Sequence, residues 1–144
     1  MLRTRGLVVS LQITFSVEGR DEVMRELDLR GRKVKNMQTS LRESAEYMTN
    51  VIDQNFGSRG GVWGKWKKRK KAYPWQILEK TGAMRRGFRN KVSSKQAEIS
   101  NSRSYFKYHQ SRQPRKYMPR RVMMAIEEQQ AKEITRIFQR NIFD

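Results

Sequence analysis

A chain of 144 residues with a formal charge of +18 is long enough to bury a core of its own as a single domain, residues 1–144. It has no cysteine, which excludes disulfide frameworks and thiolate metal sites and fits a reducing compartment. So strong a positive field attracts polyanions, whether phosphate backbone or acidic protein surface, in a salt-dependent way that does not choose between them.

At the N-terminus Leu7, Val9, Leu11, Ile13, Phe15 and Val17 alternate with mostly polar residues, and this period of two predicts a half-buried strand over 7–17. Basic residues ahead of that apolar run give it the outline of a secretion signal. Ser10, Gln12, Thr14 and Ser16 interrupt the run and no small-residue cleavage site follows, so export is not expected. No stretch of the chain approaches the ~20 apolar residues of a membrane helix.

Val23, Leu27, Val34, Met37, Leu41, Ala45, Met48, Ile52 and Phe56 recur every three or four residues except across Arg30, the stripe of an amphipathic helix. Gly31 costs ~1 kcal/mol relative to alanine inside a helix and predicts a break there, leaving a long second helix over 33–56. The glycines of 57–61 end it and open a projecting basic loop over 57–75. A short helix follows over Gln76–Arg86, then strands Phe88–Val92 and Ala97–Ser100 around a Ser-Ser-Lys-Gln turn, and a third strand over 104–110. Residues 111–121 read as a proline-punctuated loop, and Met123, Ile126, Ile134, Ile137 and Phe138 place a helix over 122–142. The order implies an α+β fold: a small antiparallel sheet, the N-terminal strand plus a three-stranded meander, packed with a long amphipathic helix and a C-terminal helix.

The basicity is local. Residues 1–57 carry 9 basic and 8 acidic side chains, residues 58–91 carry 12 and 1, and residues 92–144 carry 11 and 5. Within 61–75 stand all three tryptophans and six basic residues, with no acid: Trp63, Lys65, Trp66, Lys67, Lys68, Arg69, Lys70, Lys71 and Trp75. Lysines tracking phosphates with tryptophans stacked on bases describe a nucleic-acid grip. The same residues suit a protein-docking surface with tryptophan anchors and a cationic rim. Their blander role is core closure by the rings beneath a solvated basic loop. A membrane-surface helix is disfavoured, because the tryptophans do not share an apolar face opposite the lysines. Catalysis is not expected: His109 is the one histidine, and no nucleophile–base, metal-ligand or carboxylate-pair spacing is present, so no cofactor is implied. Ile142 and Phe143, at the end of the last helix, suit a subunit interface.

Three blocks taken in order carry a resemblance: Phe56 with the Gly61–Trp63 loop and Trp66, then Ile77 to Phe88, then Tyr105 to Met124. Together they resemble the tail-completion, virion-morphogenesis and head–tail joining proteins of tailed bacteriophages, over about residues 20–143. That pattern is a helix ending in Phe, a G-x-x-W loop, an isoleucine-leucine block before T-G-x-L, a tyrosine strand ending in His-Gln, and a P-x-R turn into the last helix. Leu78, Thr81, Gly82, Tyr105, His109, Gln110, Pro119 and Arg121 stand at the matching positions. Met84, Phe106 and Ser111 depart from it, and the lysine run after Trp66 is more basic than the pattern. The resemblance implies a non-enzymatic virion protein of the neck or tail, made in the host bacterial cytoplasm. It implies a homo-oligomeric ring, hexameric or twelve-fold, docked on connector, adaptor or tail-tube and terminator proteins, with genomic DNA as a further candidate contact in its lumen and no membrane. Under it the 57–75 and 111–121 loops meet neighbours, with Arg120 and Arg121 as candidate salt-bridge donors to them or, more plainly, caps of local carbonyls.

Overall fold

The computed structural model describes residues 2–3, 12–17, 36–110 and 119–143. In chain order these form β1 (Leu2–Arg3), β2 (Gln12–Val17), α1 (Asn36–Gly57), α2 (Ala83–Arg86), β3 (Phe88–Val92), β4 (Gln96–Asn101), α3 (Phe106–Gln110) and α4 (Glu128–Phe143). The fold is α+β, an antiparallel sheet with helices packed on it. Residues 18–35, with the expected helix start and its break at Gly31, lie outside the described residues, as do 7–11 of the N-terminal strand expectation and 111–118 of the second loop.

Strands β3 and β4 form the hairpin expected at 88–100, in register Phe88↔Asn101 to Val92↔Ala97. Its turn closes on Ser93, whose N–H donates to Gln96 O while its hydroxyl accepts the Gln96 N–H. On the other edge of β4 runs β2, with Ile13↔Ile99 and Phe15↔Ala97, and β1 pairs with β2, so the strand order is β1-β2-β4-β3. Along β4, Ala97, Ile99 and Asn101 are buried, the period of two of a strand with one face on a core.

Helix α1 supplies that core with the apolar stripe read from the sequence: Met37, Leu41, Ala45, Met48, Ile52 and Phe56 are all buried. It packs against α4, through Ile134 and Phe138, and against β3 and β4. Phe56 stands edge-on to Trp66 at 5.2 Å and to Phe88 at 6.0 Å, and Phe88 edge-on to Phe106 at 5.6 Å. This run of perpendicular rings, the geometry aromatic quadrupoles favour, ties the end of α1 to the hairpin and to α3.

Three expectations are corrected. The helix expected over Gln76–Arg86 is confined to Ala83–Arg86, with Leu78 at φ 63° ahead of it. The third strand does not form: Phe106–Gln110 is a short helix, and no three-stranded meander exists among the described residues. Phe106 and Gln110 are its buried residues, and their separation of four is the repeat of a helix face. The last helix starts at Glu128, six residues later than the apolar pattern proposes. The backbone before it is already engaged. Val122 O accepts from Trp66 Nε1 and Asn55 Nδ2, Met123 N–H and Met124 N–H donate to Gln110 Oε1, and Glu127 N–H donates to Gln130 Oε1. The Val122 carbonyl, taken by two partners distant in sequence, is withdrawn from a helical ladder, and the Glu127–Gln130 bond marks the start of α4.

Candidate docking surface

The basic segment begins where α1 stops. Arg59 adopts φ 55° and Gly60 φ 92°, the left-handed region that reverses a chain leaving a helix. Gly60 N–H donates to Asn55 O at 2.8 Å and Trp66 N–H to Arg59 O at 2.9 Å, so 57–66 folds back on the helix end. Asn55, fully buried, holds this turn to the far part of the chain: its Oδ1 accepts Val62 N–H and its Nδ2 donates to Val122 O.

That geometry relocates the expected anchors. Trp63 and Trp66 are 9% and 5% exposed. Their indole N–H groups are spent within the chain, on Gln130 Oε1 at 3.1 Å and Val122 O at 2.8 Å. They close the core instead of projecting, so the first half of the 57–75 loop is packed and the two rings offer a partner no surface. Large rings gain most by burial, and both polar tips find acceptors there.

Arg121 is corrected in the same sense. It is buried, and its guanidinium donates to Lys67 O through Nη2 at 2.8 Å and Nε at 3.2 Å, while its own N–H donates to His109 O. Burial holds its pKa below the usual arginine range, and the charge of Arg69 adds to the effect. Arg120 is exposed, with its Nε donating to Gln110 O at 3.2 Å. Both therefore make the carbonyl contacts of the plainer expectation. The side chains of Ile142 and Phe143 lie outside the described residues.

What remains outward is cationic. Lys65, Lys67, Lys68, Lys70 and Lys71 are exposed, and Arg69 is half-buried. The one acid of residues 58–91, Glu79, is held by Arg85 at 2.7 Å, and Arg85 also pairs with Asp53 at 2.8 Å. Those two carboxylates raise the Arg85 pKa, Glu79 most. Committed to Arg85, Glu79 does little to offset the lysine run.

Beyond the lysines Trp75, one of the rings singled out in the sequence, has a partner that the sequence did not single out. Tyr73 and Trp75 stack at 4.9 Å and 17°. The Arg69 guanidinium sits 5.5 Å from the Tyr73 ring centre and the Lys80 ammonium 5.1 Å from that of Trp75. Arg69 also donates to Trp75 O at 2.7 Å, fixing the bend. The signal was present in Tyr73-Pro74-Trp75. A residue before proline is held extended, and in extended chain residues i and i+2 face one side. The stack borders a cavity of about 350 Å³ lined by Tyr105, Arg121, Lys80 and Arg69 among others, with no carboxylate among its lining residues.

Gln110, matched in the sequence pattern but given no role by it, is the centre of a second buried joint. Its Oε1 accepts from Met123 N–H at 2.7 Å and Met124 N–H at 3.3 Å, and its Nε2 donates to Met124 O at 2.7 Å. Among the described residues no helix is long and apolar enough to cross a membrane. No protein-family model, no curated protein and no solved structure matches this chain.

Proposed function

We propose that the chain is a non-enzymatic structural subunit of a tailed-phage neck or tail, a tail-completion or head–tail joining protein that acts as a ring. One observation carries the proposal: the three blocks of the resemblance, far apart in sequence, meet at one buried junction. Trp66 of the first donates to Val122 O of the third, and Phe88 of the second stands edge-on to Phe56 of the first and to Phe106 of the third. Their order along the chain thus has a common physical cause, the closing of α1, the hairpin and α4 around one core.

The docking elements under this reading are the exposed Lys65, Lys67, Lys68, Lys70 and Lys71 with Arg69 and Arg120, and the two buried tryptophans support them from below. A single exposed cationic pair contributes little, ~0–1 kcal/mol. Repetition around a closed ring makes many such contacts act together, which suits a surface of charge with few apolar anchors. Its partner is then an acidic face of a connector, adaptor or tail-tube ring.

The test is localisation together with assembly. Immunogold labelling of virions from cells that make this chain should mark the head–tail junction or tail. Light scattering should show a discrete oligomer, alone or on mixing with the neighbouring ring. Virions that carry no label, with a monomer in every mixture, would overturn the proposal.

A further inference from the structure

We propose that the cavity beside the Tyr73–Trp75 stack binds a nucleotide of single-stranded nucleic acid, its base against the aromatic rings and its phosphate on Arg69 and Lys80. This inference does not depend on the assembly reading. Three observations converge on it. The first is size: about 350 Å³ lies at the small end of the ~300–1,000 Å³ that ligand sites span, room for one nucleotide unit and not for a duplex.

The second is charge. Arg69, Lys80 and Arg121 line the cavity without a carboxylate, and Arg121 is a buried cation whose only described acceptor is the Lys67 carbonyl. A pocket with cations at wall and rim and no acid among them favours an anion. Arg121 supplies field from beneath, while Arg69 and Lys80, nearer solvent, make the contacts.

The third is the rings. Tyr73 is 44% exposed and Tyr105 40%, so both present aromatic surface at the cavity. An acidic peptide would satisfy the cations and leave those faces unused. A nucleotide uses both, since every base has a face that stacks and every linkage a charge. Arg69 lies over Tyr73 and Lys80 over Trp75 through cation–π contacts, the weaker of the two interactions, so a base entering on either ring displaces its cation and turns it toward the phosphate. The exposed Lys67, Lys68, Lys70 and Lys71 lie just before this site in the chain and continue the track along the strand.

The experiment is fluorescence anisotropy of the full chain with a labelled oligothymidylate of about 12 nucleotides, within the span that one small binding module covers. A duplex of equal charge and polyglutamate serve as competitors. Trp63 and Trp66 are shielded in the core, so Trp75 reports on occupancy through its emission. The expected result is oligothymidylate binding that quenches tryptophan emission and that neither competitor matches. Tyr73→Ala, a change at an exposed ring, should weaken it at least about fivefold and Lys80→Ala less, with duplex affinity unchanged. Absence of binding, equal preference for duplex or polyglutamate, or an unaltered affinity in Tyr73→Ala would each overturn the proposal.

Discussion

Trp66 and Val122 are joined by one hydrogen bond, indole Nε1 to carbonyl oxygen at 2.8 Å, across 56 positions of chain. The same carbonyl accepts a second bond from Asn55 at 2.9 Å, so the turn after α1 and the strap before α4 share one oxygen. This separates two roles of the ring. Trp66→Ala removes a 5%-exposed indole that stands edge-on to Phe56 and should cost about 3–5 kcal/mol. Trp66→Phe keeps most of the volume and leaves Val122 O with Asn55, so the loss should be about 1–2 kcal/mol. Urea unfolding followed by circular dichroism measures both. Equal losses in the two variants would mean that the hydrogen bond, not the packing, holds the loop.

Gln110 makes a sharper case, because it satisfies three backbone groups at once. Gln110→Leu strands two N–H donors and one carbonyl in a buried place, at roughly 1–3 kcal/mol for each group, so a loss of at least about 3 kcal/mol is expected. Gln110→Glu keeps the acceptors but sets an oxygen against Met124 O and buries a charge. Burial raises the folded-state pKa of the new carboxyl above its unfolded value of about 4.3. The penalty is then complete above the raised folded value and shrinks as pH falls toward the unfolded one, where the protonated group can again donate to Met124 O. Urea midpoints for wild type and Gln110→Glu should lie closer together at about pH 5 than at about pH 7. A gap that does not change with pH would contradict the buried-charge account.

These joints explain which parts of the architecture were legible. The α1 stripe from Met37 to Phe56 is a periodic pattern that serves one face, and the 88–101 hairpin has a turn that closes on its own Ser93. Local rules are enough for both. The helix at 106–110 and the late start of α4 depend on partners distant in sequence, Gln110 with Met123 and Trp66 with Val122, and no window of local sequence contains them. For the site, composition located the cations but could not rank the tryptophans. Trp63 and Trp66 are buried because Gln130 and Val122 wait for their N–H groups. Trp75 lies nearer the surface, beside Tyr73, because Pro74 and Arg69 hold that stretch of chain extended and bent.

The turn that places the lysine run rests on Gly60. A Cβ there would lie 2.5 Å from Gly64 O and 2.7 Å from Trp66 N, both backbone atoms, at φ 92°. Nothing flexible is available to yield. Gly60→Ala should cost roughly 2–5 kcal/mol, the sum of left-handed strain and overpacking. Gly57→Ala is the internal control: its Cβ would meet nothing within 4 Å, and alanine is the better helix former by up to about 1 kcal/mol, so it should be neutral or stabilising. Thermal melts of the two variants test the contrast. A Gly60→Ala melt no lower than that of Gly57→Ala would show that the 57–61 turn tolerates rearrangement and does not fix the basic segment.

Glu43 couples the two long helices and should confer an acid-sensitive part of the stability. Its carboxylate accepts from Asn141 Nδ2 at 3.0 Å and pairs with Arg140 at 2.6 Å, joining α1 to the last turns of α4. The Asn141 hydrogen bond, and after it Arg140, hold its pKa below the ordinary glutamate range in spite of partial desolvation. A lowered folded-state value means that the stabilisation is complete above the unfolded pKa and disappears as pH falls through the folded one. Both side chains are partly exposed, Arg140 at 57% and Glu43 at 33%, so solvent screens the pair and Glu43→Gln should cost no more than about 1 kcal/mol at neutral pH. That difference should shrink in 1 M salt, where the screening length is about 3 Å, and vanish in acid, where both chains present a neutral group to Arg140. Melting curves of wild type and Glu43→Gln across acid and neutral buffers read this directly. A constant offset at every pH would assign the effect to packing and not to the charge.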